Sequence, residues 1–165
     1  MMKRSALILV AGLAAGCAAG GGGGGASLVF DVRPLSSSDE AFVASRGAGQ
    51  PAVVIGGDAA ATAARLRLPQ KLGGGGFAPA QAGASGSRLV FAFSGLSPEA
   101  LCASAGGGDG GGGEASAAWC LDGRPLAYAR GRGAALASPD APGFEAAARR
   151  MTNAMLAPLR TGRRS

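Results

Sequence analysis

The chain has 165 residues, a formal net charge of +6, 31 glycines, three cysteines and no histidine. The missing histidine removes the commonest general base, the usual hydrolytic triads and most catalytic zinc sites. The length suits one domain with tails, and the glycines cluster in runs instead of spreading, which favours a folded domain with loops over a low-complexity chain.

The first residues read as an export signal. Lys3 and Arg4 precede an apolar run over 6–16 that ends in small residues, too short to span a bilayer, which takes about twenty apolar residues. Leu13, Ala14, Ala15 and Gly16 stand directly before Cys17, and this arrangement resembles the lipobox of bacterial lipoproteins. The resemblance implies a signal peptide over 1–16, cleavage before Cys17, and diacylglycerol and palmitate-type acylation of that cysteine. It departs from the commonest pattern at Ala14, where leucine is more frequent. Ala18 replaces the aspartate that holds some lipoproteins at the inner membrane, so the resemblance points to the outer membrane and a periplasmic domain. Two or three acyl chains, at about 0.8 kcal/mol per buried methylene, anchor firmly where one does not. Two plainer readings are an ordinary secretory cleavage site and an uncleaved anchor, the latter opposed by glycines in its second half.

Behind Cys17, residues 17–26 form a glycine-rich tether. As a flexible coil, the nine residues 18–26 reach about 15 to 18 Å. The domain is assigned to 27–160, with a basic tail at 161–165. A strand is predicted over 27–32, ended by Pro34, and a short helix starts among Ser36, Ser37, Ser38, Asp39 and Glu40. A second strand over 51–55 closes at Gly56 and Gly57, and Asp58 is placed to cap an alanine-rich helix over 59–66. After glycines 73–76 a strand is predicted at 77–80. Another over 88–93, apolar on both faces, is expected at the sheet's centre. Ser97 and Pro98 start a short helix carrying Cys102. Asp122 and Gly123, between extended runs at 116–121 and 125–130, signal a hairpin. The last helix, over 142–157, carries Phe144, Ala148, Met151 and Met155 at spacings of 4, 3 and 4, an amphipathic stripe read as its core face. The expected fold is α+β: a mostly antiparallel sheet of five or six strands, helices packed on one face, and a C-terminal amphipathic helix.

With Cys17 given to lipid, Cys102 and Cys120 remain, and an even count in an oxidising compartment favours a disulfide between them. Removal of Lys3 and Arg4 takes the charge from +6 to +4, and Arg149, Arg150, Arg160, Arg163 and Arg164 crowd the C-terminal end. Attraction to anionic lipid head groups or another acidic surface is one reading of that cluster; a solvated helix face with a basic tail is the other. No aromatic residues interleave with these arginines, so nucleic acid is not an expected partner.

Catalytic candidates are few. Asp39 and Glu40 are the only adjacent acids and sit at a helix start, where the dipole favours negative charge anyway. Gly56 and Gly57 join a strand to a helix and could offer amides to a small anion. They lack the spacing of a dinucleotide loop and the lysine of a P-loop, and Asp58 opposes a phosphate there. Residues 106–114 resemble one irregular copy of a calcium-binding glycine–aspartate repeat, too little to build a stack. No cofactor or metal is implied. The residues 88–93 with Leu101, Cys102, Trp119, Cys120 and the closing helix resemble small uncharacterised lipoproteins of G+C-rich proteobacteria, a resemblance that implies no activity. The reading is therefore a non-enzymatic, membrane-anchored module of the cell envelope, with an envelope protein as its partner. The alternative is an exported protein binding a small anionic ligand at Gly56 and Gly57.

Overall fold

A computed structural model describes residues 27–44, 49–103 and 112–157. In chain order these form β1 (Leu28–Arg33), α1 (Ser37–Ala44), β2 (Gln50–Ile55), α2 (Ala59–Arg65), β3 (Phe77–Ala80), β4 (Ser87–Ala92), α3 (Pro98–Cys102), β5 (Glu114–Leu121), β6 (Arg124–Arg132) and α4 (Phe144–Leu156). Two short 3₁₀ turns, Gln70–Leu72 and Ala134–Leu136, were not foreseen from sequence. The fold class is α+β, as expected. One six-stranded sheet runs in the order β1-β6-β5-β4-β2-β3 and is mostly antiparallel. It is mixed because β2 pairs in parallel with both β3 and β4.

Every residue of β4 is buried, which accounts for its apolar pattern on both sides. Leu89, Phe91 and the following Phe93 face one core with Trp119 of β5, while Val90 and Ala92 face a second with Ala118, Cys120 and Tyr128. The first core is the larger, and α1, α2 and α4 all contribute to it. Its aromatic centre is Phe91, Phe93 and Phe144, with ring centroids 5.2 to 5.8 Å apart. The five-residue α3 is the exception to one-sided packing: it covers the opposite face with Leu101 and Cys102.

Local chemistry sets the boundaries. Asp58 accepts the Ala61 N–H at 2.7 Å and starts α2; Ser97 accepts the Ala100 N–H at 3.2 Å and starts α3. In the β5–β6 hairpin, Asp122 and Gly123 have φ of 48° and 81°, the left-handed pair that a two-residue turn of primed type requires. The Asp122 carboxylate also accepts the Gly86 N–H at 3.1 Å, tying the turn to the start of β4. Along α4 the buried residues are Phe144, Ala147, Ala148, Met151, Thr152, Met155 and Leu156, the three-and-four spacing of one helix face. Gly131 on β6 lets that face approach. A Cβ there would stand 2.7 Å from Leu136 Cδ1 and 2.9 Å from Met151 Sδ.

At one edge, β1 loses register with β6 between Phe30 and Arg33, where Asp31 has a left-handed φ of 48°. Leu28 and Val32 on this edge are exposed. At the other edge, β3 has four residues, one of them Pro79.

Candidate functional site

The exposed side of α4 and the segment that follows α2 enclose a groove. Its second wall, 67–74, is held in place by one hydrogen bond from α4 and by others within its own turn. The Arg67 carbonyl accepts the Thr152 hydroxyl of α4 at 3.2 Å, and Leu68 N–H donates to the Gly75 carbonyl at 2.8 Å. Leu68, Pro69 and Leu72 are buried beneath it. Gly73 ends the 3₁₀ turn with a φ of 99°, a left-handed conformation that suits glycine. The groove consists of two adjoining depressions of about 910 and 540 Å³ that share Arg149, Arg150 and Asn153. Leu68, Pro69, Ala154 and Ala157 give the larger one an apolar lining.

Four cations border it: Arg67, Lys71, Arg149 and Arg150. Arg67 Nη1 donates to the Ala64 and Leu66 carbonyls at 2.6 and 2.7 Å, which fixes the head group without neutralising it. Lys71 pairs with Glu40 at 3.0 Å and Arg149 with Glu145 at 2.7 Å. Arg150 donates to the Ser27 hydroxyl, at the first described residue. Four positive charges against the two carboxylates leave the groove basic by two, and the two ion pairs are surface contacts worth about 0 to 1 kcal/mol each.

The residues singled out from sequence are scattered. Arg149 and Arg150 are in the groove, whereas Cys17, Arg160, Arg163 and Arg164 lie outside the described residues. Cys102 and Cys120 do meet, their sulfurs at disulfide distance, 1.95 Å, and their Cα atoms 5.5 Å apart. The pair is buried on the smaller core face, at 1% and 0% exposure, and joins α3 to β5. Gly56 and Gly57 border neither depression. Gly57 lies against a ring: a Cβ there would stand 2.5 Å from Phe93 Cε2. The Ala61 amide at this helix start is already taken by the Asp58 carboxylate, and α2 is only seven residues long. The Asp39 N–H donates to the Ser36 hydroxyl and the Asp39 carboxylate accepts from it, while Glu40 reaches Lys71, so these two acids do not converge.

Three titratable groups are clearly perturbed, and one of them, Glu99 in the first turn of α3, is held below its ordinary value chiefly by a backbone hydrogen bond. Burial pushes the Tyr128 hydroxyl up to about 12, and it donates to the Leu96 carbonyl at 2.8 Å, a structural role between β6 and the loop before α3. Glu114 is held below its ordinary value, chiefly by the hydrogen bond from Arg130. The same arginine and Arg132 lie 5.6 and 5.9 Å from the Phe30 ring centroid, so this cluster clamps β1 to β6. Among the described residues no group of three or more histidines, cysteines or acids is placed to hold a metal, and no helix is long and apolar enough to cross a membrane. Sequence reading missed Arg67 and Lys71, which become neighbours of α4 only through the tertiary fold. Compared with protein-family models, curated proteins and solved structures, the chain matches none.

Proposed function

We propose that the chain is a non-enzymatic module of the cell envelope, exported and held to a membrane through lipid on Cys17. The observation that carries this reading is where the glycine run meets the domain. Residues 18–26 lead directly into Ser27, whose hydroxyl accepts from Arg150 in the basic groove. A lipid on Cys17, with a reach of about 15 to 18 Å through that run, keeps this charged face beside the membrane surface. The buried sulfurs of Cys102 and Cys120 suit an oxidising compartment.

Intact mass of the protein extracted from membranes is the direct test. Cleavage before Cys17, added mass for two or three acyl chains, and release of a Cys17→Ala variant from the membrane fraction are expected. An unmodified Cys17 would sink the anchoring. A second reading, a binding protein for a small anion, now has a better site in the groove than at Gly56 and Gly57, because four cations border the groove and a carboxylate occupies the helix start.

A further inference from the structure

We propose that the groove between α4 and residues 67–74 docks onto the phosphodiester head groups of an anionic bilayer. This rests on the tethered reading only for which membrane is met; the chemistry of the groove stands without it.

Three features select this occupant. First, the charge is complementary: the groove is basic by two, and its cations are spread along both walls, as an array of monoanionic phosphodiesters needs. Second, Lys71, Arg149 and Arg150 are exposed and Arg67 half-buried, beside the half-buried Ala154 and Ala157, with Leu68 and Pro69 buried at the groove's base. A free phosphate is best held by converging, desolvated donors. An open basic rim around apolar surface instead suits an interface where head groups give way to acyl chains. Third, the chain on both sides leads to this face. Ser27 is bonded to Arg150, and Ala157, which lines the groove, is followed by the segment carrying Arg160, Arg163 and Arg164. That segment has the same sign as the groove and is a poor occupant for it, yet it adds to the attraction for an anionic surface.

The test uses the full chain in non-ionic micelles doped with phosphatidylglycerol, with phosphatidylcholine, or left undoped with added inorganic phosphate, and follows thermal unfolding. Phosphatidylglycerol is expected to raise the melting temperature with a saturable dependence on its mole fraction, while phosphatidylcholine and phosphate leave it unchanged. Removing two head-group contacts in an Arg149→Gln/Arg150→Gln variant is expected to weaken the affinity for phosphatidylglycerol, read from the saturation of the melting shift, about 30-fold. Arg124→Gln, at the start of β6 and away from the groove, is expected to keep it. Melting in phosphatidylcholine micelles reports directly that each variant is folded. Equal stabilisation by inorganic phosphate would make the groove a small-anion site and overturn the proposal, as would an undiminished phosphatidylglycerol response in the double variant. Intact mass separates the two readings. An unmodified Cys17 with a retained response removes the tether and keeps the groove; an acylated Cys17 with no response removes the groove alone.

Discussion

Reducing the Cys102–Cys120 bond perturbs the domain at one defined place. The two cysteines are 18 positions apart, and the glycine run of 106–113, interrupted by Asp109, lies between them. In the chain-entropy account, releasing a loop of this length from the unfolded ensemble lowers stability by about 3 kcal/mol. With a urea dependence of about 2 kcal/mol per molar, typical of a domain this size, the unfolding midpoint should fall by about 1.5 M. Trp119 precedes Cys120, is fully buried, and donates its indole N–H to the Ser87 hydroxyl at 2.9 Å, so its fluorescence reports the transition. The reduced protein is prepared in urea and compared with the oxidised form at equilibrium. In native buffer the bond should resist reductant, because sulfurs at 1% and 0% exposure are reached only through opening. A midpoint shift below about 0.3 M would refute the reasoning, since the bond would then scarcely restrict the unfolded chain.

Two further outcomes follow from packing and charge. Gly131→Ala should cost about 1 to 3 kcal/mol, because the new methyl group meets Leu136 and Met151; urea unfolding in a Met151→Ala background should show a smaller penalty, and an equal one would mean the contact is not the cause. Glu114 has a depressed folded-state pKa, so its contribution is complete above the ordinary value of 4.5 and is lost as pH falls through the folded-state value. Wild type should therefore exceed Glu114→Gln in stability at neutral pH, with the difference shrinking below about pH 4.5 in chemical denaturation; a pH-independent difference would contradict the Arg130 interaction.

The parts of the fold that local chemistry controls were legible in the chain. Asp58, Ser97 with Pro98, and the Asp122–Gly123 pair act on their immediate neighbours, and the helices and hairpin begin where those residues placed them. The stripe of Phe144, Ala148, Met151 and Met155 is buried, because a helical repeat states its own inward face. Strand order is a different kind of information. That β2 lies beside β4 in parallel depends on the crossover through α2 and β3, and no residue in 50–55 or 87–92 encodes it alone. The side of the sheet on which α3 packs follows from where Cys102 must reach Cys120. The groove was illegible for a similar reason: Arg67 and Lys71 are about eighty positions from Arg149 and Arg150. They meet through a 3₁₀ turn whose three residues, Gln70, Lys71 and Leu72, carry too short a pattern to announce it.

The two ends of the sheet bear on how many copies can share a surface. A tethered domain is concentrated in a plane with its neighbours, and an open sheet edge is then a template onto which the next copy can add a strand. Here both templates are spoiled. At β1 the left-handed turn of the backbone at Asp31 breaks the ladder midway and places charge from Asp31 and Arg33 along the rim. At β3 only four residues are extended, and Pro79 brings no N–H to offer. If the proposed lipid anchor holds, crowding on a membrane would bring copies together side by side while neither described sheet edge offers an unbroken ladder to the next copy.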